Sequence, residues 1–116
     1  MLPLVSIIIP IYNAENFIDR CLNSILNQSF KDYVVYMIND GSTDNTLNKL
    51  EYFSKNDSRF ILINKENSGV STTRNFGLKL VKTKYTVFID SDDTIEKDYL
   101  KLMINDSEIN DFDITI

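Results

Sequence analysis

Val5-Ser6-Ile7-Ile8-Ile9-Pro10-Ile11-Tyr12-Asn13-Ala14-Glu15 is the stretch that decides the fold. Its first five residues are an apolar, mostly β-branched run broken only by Ser6 and closed by a proline, which predicts a strand over 5–9 buried on both faces. Strands of that kind belong to parallel sheets, where crossover helices cover both sides. Asn13 is expected to act as N-cap for a helix whose apolar residues Phe17, Ile18, Cys21, Leu22, Ile25 and Leu26 share one stripe. Cys21 lies inside that stripe and reads as a small core residue, because a reactive thiol needs an exposed, electropositive setting.

The same alternation continues along the chain. Tyr33 to Ile38 predicts a second strand ending at Asn39-Asp40-Gly41, and Ser42 or Thr43 then caps a helix carrying Leu47, Leu50 and Phe53. Phe60 to Ile63 predicts a short third strand, and Ser71 opens a third helix through Leu80-Val81. Tyr85 to Ile89 predicts a fourth strand that runs into Asp90-Ser91-Asp92-Asp93. Glu96 to Asn105 follows as a helix with Tyr99, Leu100, Met103 and Ile104 inward, and Phe112 to Ile116 as a fifth strand. Four strand–helix alternations call for an α/β fold: a doubly wound, mostly parallel sheet with helices on both faces, in one domain over 1–116.

Composition narrows the chemistry. In 116 residues, 12 Lys+Arg stand against 17 Asp+Glu, a net charge of −5. That balance argues against nucleic acid as a partner, since binding a phosphate backbone draws on clustered basic residues. The absence of histidine removes imidazole bases and His-ligated metals, and the single cysteine rules out an internal disulfide or a thiolate metal site. What remains is oxygen chemistry, suited to Mg2+ or Mn2+. No apolar run approaches the ~20 residues of a membrane span. The first charge is Glu15, so the N-terminus lacks the basic start of a signal peptide, and a cytoplasmic setting is expected.

In doubly wound sheets ligands bind beyond the carboxyl ends of the strands, where strand order reverses. No glycine occurs in the first forty residues, which excludes the glycine-rich turn of a nicotinamide or flavin domain, and no Gly-Lys-Ser/Thr ending of a P-loop is present. The strand ends instead carry Asp40, followed by Gly41-Ser42-Thr43-Asp44, and the acids Asp90, Asp92 and Asp93. These are expected to open on one edge as a carboxylate-lined mouth with no lysine beside it. Like charges so close destabilise the fold unless a cation joins them. A divalent ion supplies that charge and can bridge to phosphate oxygens, so an acidic pocket becomes a diphosphate site.

The first stretch quoted, together with Asn39-Asp40-Gly41-Ser42-Thr43-Asp44, Gly69-Val70-Ser71-Thr72-Thr73-Arg74-Asn75-Phe76-Gly77 and Phe88-Ile89-Asp90-Ser91-Asp92-Asp93, resembles the family 2 glycosyltransferases of the GT-A fold. The resemblance spans essentially the whole chain. It implies inverting transfer of a sugar from a nucleotide diphosphate donor, commonly a UDP-sugar, to a saccharide or lipid-linked acceptor in polysaccharide or cell-envelope synthesis. By analogy Pro10 and Tyr12 line the base pocket, Asp40 accepts the uracil imide N–H, and Glu15 sits near base and ribose. Asp90-Ser91-Asp92 matches the DxD motif, with Asp90 on ribose or sugar hydroxyls and Asp92 on the metal, Mn2+ or Mg2+. Arg74 is a donor-phosphate or base contact. The family's catalytic base lies on the acceptor side, downstream of the DxD motif. No catalytic residue is therefore assigned in this chain, which reads as the donor-binding half, truncated before the acceptor half and inactive alone. Family acceptors at the inner membrane face also make peripheral membrane association compatible with this reading.

Two other readings stand beside this one. Phe88-Ile89-Asp90-Ser91-Asp92-Asp93-Thr94 also fits the Asp-x-Asp-x-Thr of a haloacid-dehalogenase-like phosphatase, with Asp90 as nucleophile and Asp92 as acid/base. A non-catalytic module that binds nucleotide-sugars would need the same donor site.

Overall fold

The computed structural model describes residues 2–110. Along the chain run β1 (Val5–Ile11), α1 (Ile18–Leu26), β2 (Tyr33–Asp40), α2 (Thr46–Asn56), β3 (Phe60–Lys65), α3 (Val70–Leu78), β4 (Tyr85–Phe88) and α4 (Tyr99–Asn110). The four strands form one sheet in the order β3-β2-β1-β4, and every pairing is parallel. All seven residues of β1 are buried. This is the doubly wound α/β fold expected from the alternation. The fifth strand expected over 112–116 lies outside the described residues.

The two sides of the sheet are covered unequally. Ile7, Ile9, Val35, Met37 and Val87 face a large core built with Cys21, Leu22 and Ile25 of α1, Leu50 and Phe53 of α2, and Leu100 and Ile104 of α4. Each such aliphatic side chain stabilises the fold by roughly 1.5–3 kcal/mol when fully withdrawn from water. On the other side Ile8, Ile38 and Phe88 form a smaller cluster. There α3 lies so close to the sheet that a Cβ on Gly77 would stand 2.6 Å from Ile8 Cγ2 and 2.8 Å from Ile38 Cδ1.

Several boundaries differ from the sequence expectation. Pro10 does not end β1; it pairs with Ile38, and the strand runs on to Ile11. The main chain of Ile8 faces β4, because Ile89 N–H donates to its carbonyl. Pro10 has the same parity, so its missing N–H falls beyond Phe88, the last residue of β4 in that ladder, where no strand needs a donor. Asn13 is not a helix cap. It has φ 48, and α1 begins only at Ile18. Neither Ser42 nor Thr43 caps α2, which starts at Thr46 after Asn45. Asp44 does that work instead, its carboxylate accepting from the Thr46 amide at 2.9 Å and from the Thr46 hydroxyl.

Candidate functional site

A cleft of about 200 Å³ opens at the carboxyl edge of the sheet. Pro10, Ile11 and Tyr12 reach it from the end of β1, and Asp40 from the end of β2. Asp90 and Ser91 come from the turn after β4, and Val70 from the first turn of α3. Chain direction across the sheet reverses between β1 and β4, so the cleft sits at the topological switch point.

Asp40 forms the floor, with its side chain only 4% exposed. Lys65, directly opposite in the β2–β3 register, donates to Oδ1 at 2.9 Å. The amides of Ser68 and Gly69 donate to Oδ1 and Oδ2 at 2.9 and 3.0 Å. Burial pushes this carboxyl up. The Lys65 ammonium and the two amides outweigh that and hold it below the usual carboxylate range. The Asp40 carbonyl also accepts from Asn67 Nδ2, so one residue fastens the whole loop ahead of α3 to the sheet.

Of the acids after β4, Asp90 lines the wall and Asp92 and Asp93 stand beside it. Carboxylate oxygens of Asp90, Asp92 and Asp93 lie within 4.8 Å of one another, and all three residues are exposed. Arg74 of α3 reaches across to Asp90 Oδ1 at 3.0 Å, while its Nε is buried without a hydrogen-bond partner. Beneath the turn the Cys21 thiol donates to the Asp90 carbonyl at 3.6 Å. Burial pushes this thiol up to about 12, and the charges of Asp93, Asp92 and Asp90 add to the effect. Cys21 is therefore an inert core residue supporting the acidic turn.

The end of α1 and the turn after it fasten the segment that follows the acids. Ser24 Oγ accepts from the Ile95 amide, and Ser29 Oγ donates to Asp98. Gln28, fully buried, donates to the carbonyls of Ser24 and Glu96 and accepts from the Leu100 amide. On the opposite rim Asn13 joins two turns, its Oδ1 accepting from the Thr43 amide at 2.8 Å and its own amide donating to Ser42 Oγ at 3.0 Å.

Of the residues picked out in the sequence, Pro10, Tyr12, Asp40 and Asp90 share the cleft. Arg74 and Asp92 adjoin it through Asp90. Glu15 is not among the lining residues; its backbone is held by Asp44 and Lys49 of the second turn and α2. The expectation of a mouth without lysine is overturned. Lys65 pairs with Asp40 because β3 extends to Lys65 rather than stopping at Ile63. Val70 and the Gln28 network were also missed, because Gln28 lies beyond the end of α1 and its partners are set by the distant start of α4.

An acidic cleft at the switch point of a doubly wound parallel sheet defines an α/β ligand-binding domain. The chain belongs to glycosyl transferase family 2, which residues 6–116 match. It is similar to the uncharacterized glycosyltransferase EpsJ of Bacillus subtilis (strain 168), 38% identical over 98% of this chain and 33% of that protein. With the chondroitin synthase of Pasteurella multocida (strain Pm70) it shares 41% identity over 90% of this chain and 11% of the synthase. The crystal structure of S. aureus TarS 1-349 in complex with UDP-GlcNAc superposes with a TM-score of 0.81 at 33% identity, covering 91% of this chain and 31% of that one. The chain thus spans about a third or less of the length of these curated relatives. The fold is the GT-A fold of glycosyltransferases, and the family gives no support to the phosphatase reading.

Proposed function

We propose that the chain is the donor-binding part of an inverting glycosyltransferase that takes a sugar from a nucleotide diphosphate sugar, a UDP-sugar, and passes it to a saccharide or lipid-linked acceptor in polysaccharide synthesis. One observation carries the reading: Pro10, Tyr12, Asp40 and Asp90 converge on a single cleft, and Asp90 joins it to the acidic cluster with Asp92 and Asp93. The relatives that make chondroitin or bind UDP-GlcNAc support the substrate class.

In this reading Pro10 and Tyr12 hold the base, Asp40 accepts its imide N–H, and Glu15 stands toward the ribose side. Asp90 orients ribose or sugar hydroxyls. The three carboxylates fit a hard divalent cation, Mn2+ or Mg2+, with Asp92 as the principal ligand. Such an ion supplies charge to stabilise the departing diphosphate. Arg74 has an unspent donor in Nε and is released toward phosphate once Asp90 has another partner. None of the described residues is assigned as the base that takes the acceptor proton. Among them, no helix is long and apolar enough to cross a membrane.

Calorimetry of UDP with and without Mn2+ tests this reading. Asp92→Asn is expected to abolish the Mn2+ enhancement of UDP binding while the fold is retained. A variant whose Mn2+ dependence matches the wild type would remove Asp92 from the metal.

A further inference from the structure

We propose that Lys65 is a positioning residue that sets base selection, by keeping Asp40 a pure hydrogen-bond acceptor toward the nucleotide. This rests on the reading of Asp40 as the base contact, and it adds a residue outside the cleft lining to the selection machinery.

The geometry is specific. Lys65 and Asp40 face each other at the last register position of β2 and β3, with side chains 14% and 4% exposed. The ammonium spends its donors on Asp40 Oδ1, the Glu66 carbonyl and Ser68 Oγ. An ionised carboxylate offers about four acceptor sites. Lys65, Ser68 and Gly69 take three of them, the Thr73 hydroxyl donates to the Gly69 carbonyl, and Asp40 still lines the cleft.

An ionised carboxylate can only accept. It satisfies a base edge that presents a ring N–H, as uracil does at N3, and repels an edge that presents a ring lone pair, as cytosine does there. A protonated carboxyl carries one O–H and can serve the cytosine edge. Lys65 is the cation bonded to Asp40 among the described residues. The other charged or titratable groups at the cleft are Asp90, already paired to Arg74 at 3.0 Å, and the Tyr12 phenol at the rim. Glu66 contributes its carbonyl to Lys65, and Thr73 of α3 offers only a hydroxyl. Without Lys65, only the backbone amides and that hydroxyl oppose burial among the described residues. The carboxyl then protonates at higher pH than in the wild type.

The test measures UDP and CDP affinities by calorimetry in Mn2+, from neutral pH down to mildly acidic pH but above the range in which cytosine N3 itself protonates, for the wild type, Lys65→Met, Lys65→Gln, Lys65→Arg and Asp40→Asn. Wild type and Lys65→Arg are expected to keep a constant UDP preference. In Lys65→Met that preference falls about tenfold as pH drops, through a gain in CDP affinity. Lys65→Gln, which keeps a neutral donor and spares the loop should the Met variant not fold, follows the same course with smaller amplitude. Equal, pH-independent loss of both nucleotides in the Lys65 variants would overturn the proposal and leave a merely structural role. An unchanged preference in Asp40→Asn would instead overturn the base contact itself, so the two failures are distinct.

Discussion

Replacing Gln28 by methionine keeps the volume and the apolar stem of a fully buried side chain and deletes only its amide. The structure says what is then stranded. The Leu100 amide loses its acceptor at 3.1 Å inside the core, and the Glu96 carbonyl loses one of its two donors, keeping the Tyr99 amide. A buried donor left unsatisfied costs roughly 1–3 kcal/mol, and that cost falls on Leu100. A domain of this size is held by roughly 5–15 kcal/mol, so the variant should fold with a reduced margin. In urea, with a slope of roughly 1–3 kcal/mol/M, the midpoint should fall by about 1 M at unchanged slope. Hydrogen exchange adds the spatial prediction: the Leu100 amide loses protection beyond the global loss, while the amides of β1 lose only the global amount. A methionine variant with a wild-type midpoint and a protected Leu100 would refute the view that Gln28 pins the start of α4 to α1.

Gly77→Ala should destabilise the chain by about 1–2 kcal/mol in urea denaturation, because overpacking against Ile8 and Ile38 exceeds the roughly 1 kcal/mol gained in helix propensity. Adding Ile38→Val removes Cδ1 and should recover part of the loss, and an alanine variant as stable as the wild type would contradict the close approach of α3. Acid stability follows from the carboxylates. Asp40 and Asp44, pushed up by burial but held low by hydrogen bonds, and Asp57, held low by Arg59, all sit below their ordinary values. The stability they contribute is present above about pH 4 and lost as pH falls through their folded-state values. Thermal midpoints should be flat near neutrality and drop below that point, with a smaller drop in Asp40→Asn; a drop undiminished in that variant would exclude Asp40 as a main contributor.

The strands and the acids at their ends were legible because each depends on local signals: β-branched runs for a parallel sheet and a polar cluster after each run. The misreadings occurred where a residue answers to a distant part of the chain. Asn13 carries the chemistry of a cap, but its amide and side chain serve the turn at 42–44, and asparagine tolerates the left-handed backbone found there. Pro10 reads as a stop only if a neighbour needs its N–H, and that depends on where β4 ends. Lys65 escaped for the same reason. Its partner is fixed by strand register, and the cation beside Asp40 appears only once β2 and β3 are aligned.

Three helices shelter one side of the sheet, and among the described helices α3 roofs the other over Ile8, Ile38 and Phe88, with Val81 beside it. That helix is moored at its start through the loop gripped by Asp40, and it also supplies Val70 and Arg74 to the binding region. In the proposed reading, letting go of a nucleotide's surroundings and baring a greasy β-surface are therefore one and the same excursion. Occupancy by ligand, which favours the closed roof by mass action, should guard the molecule against clumping as much as against unfolding.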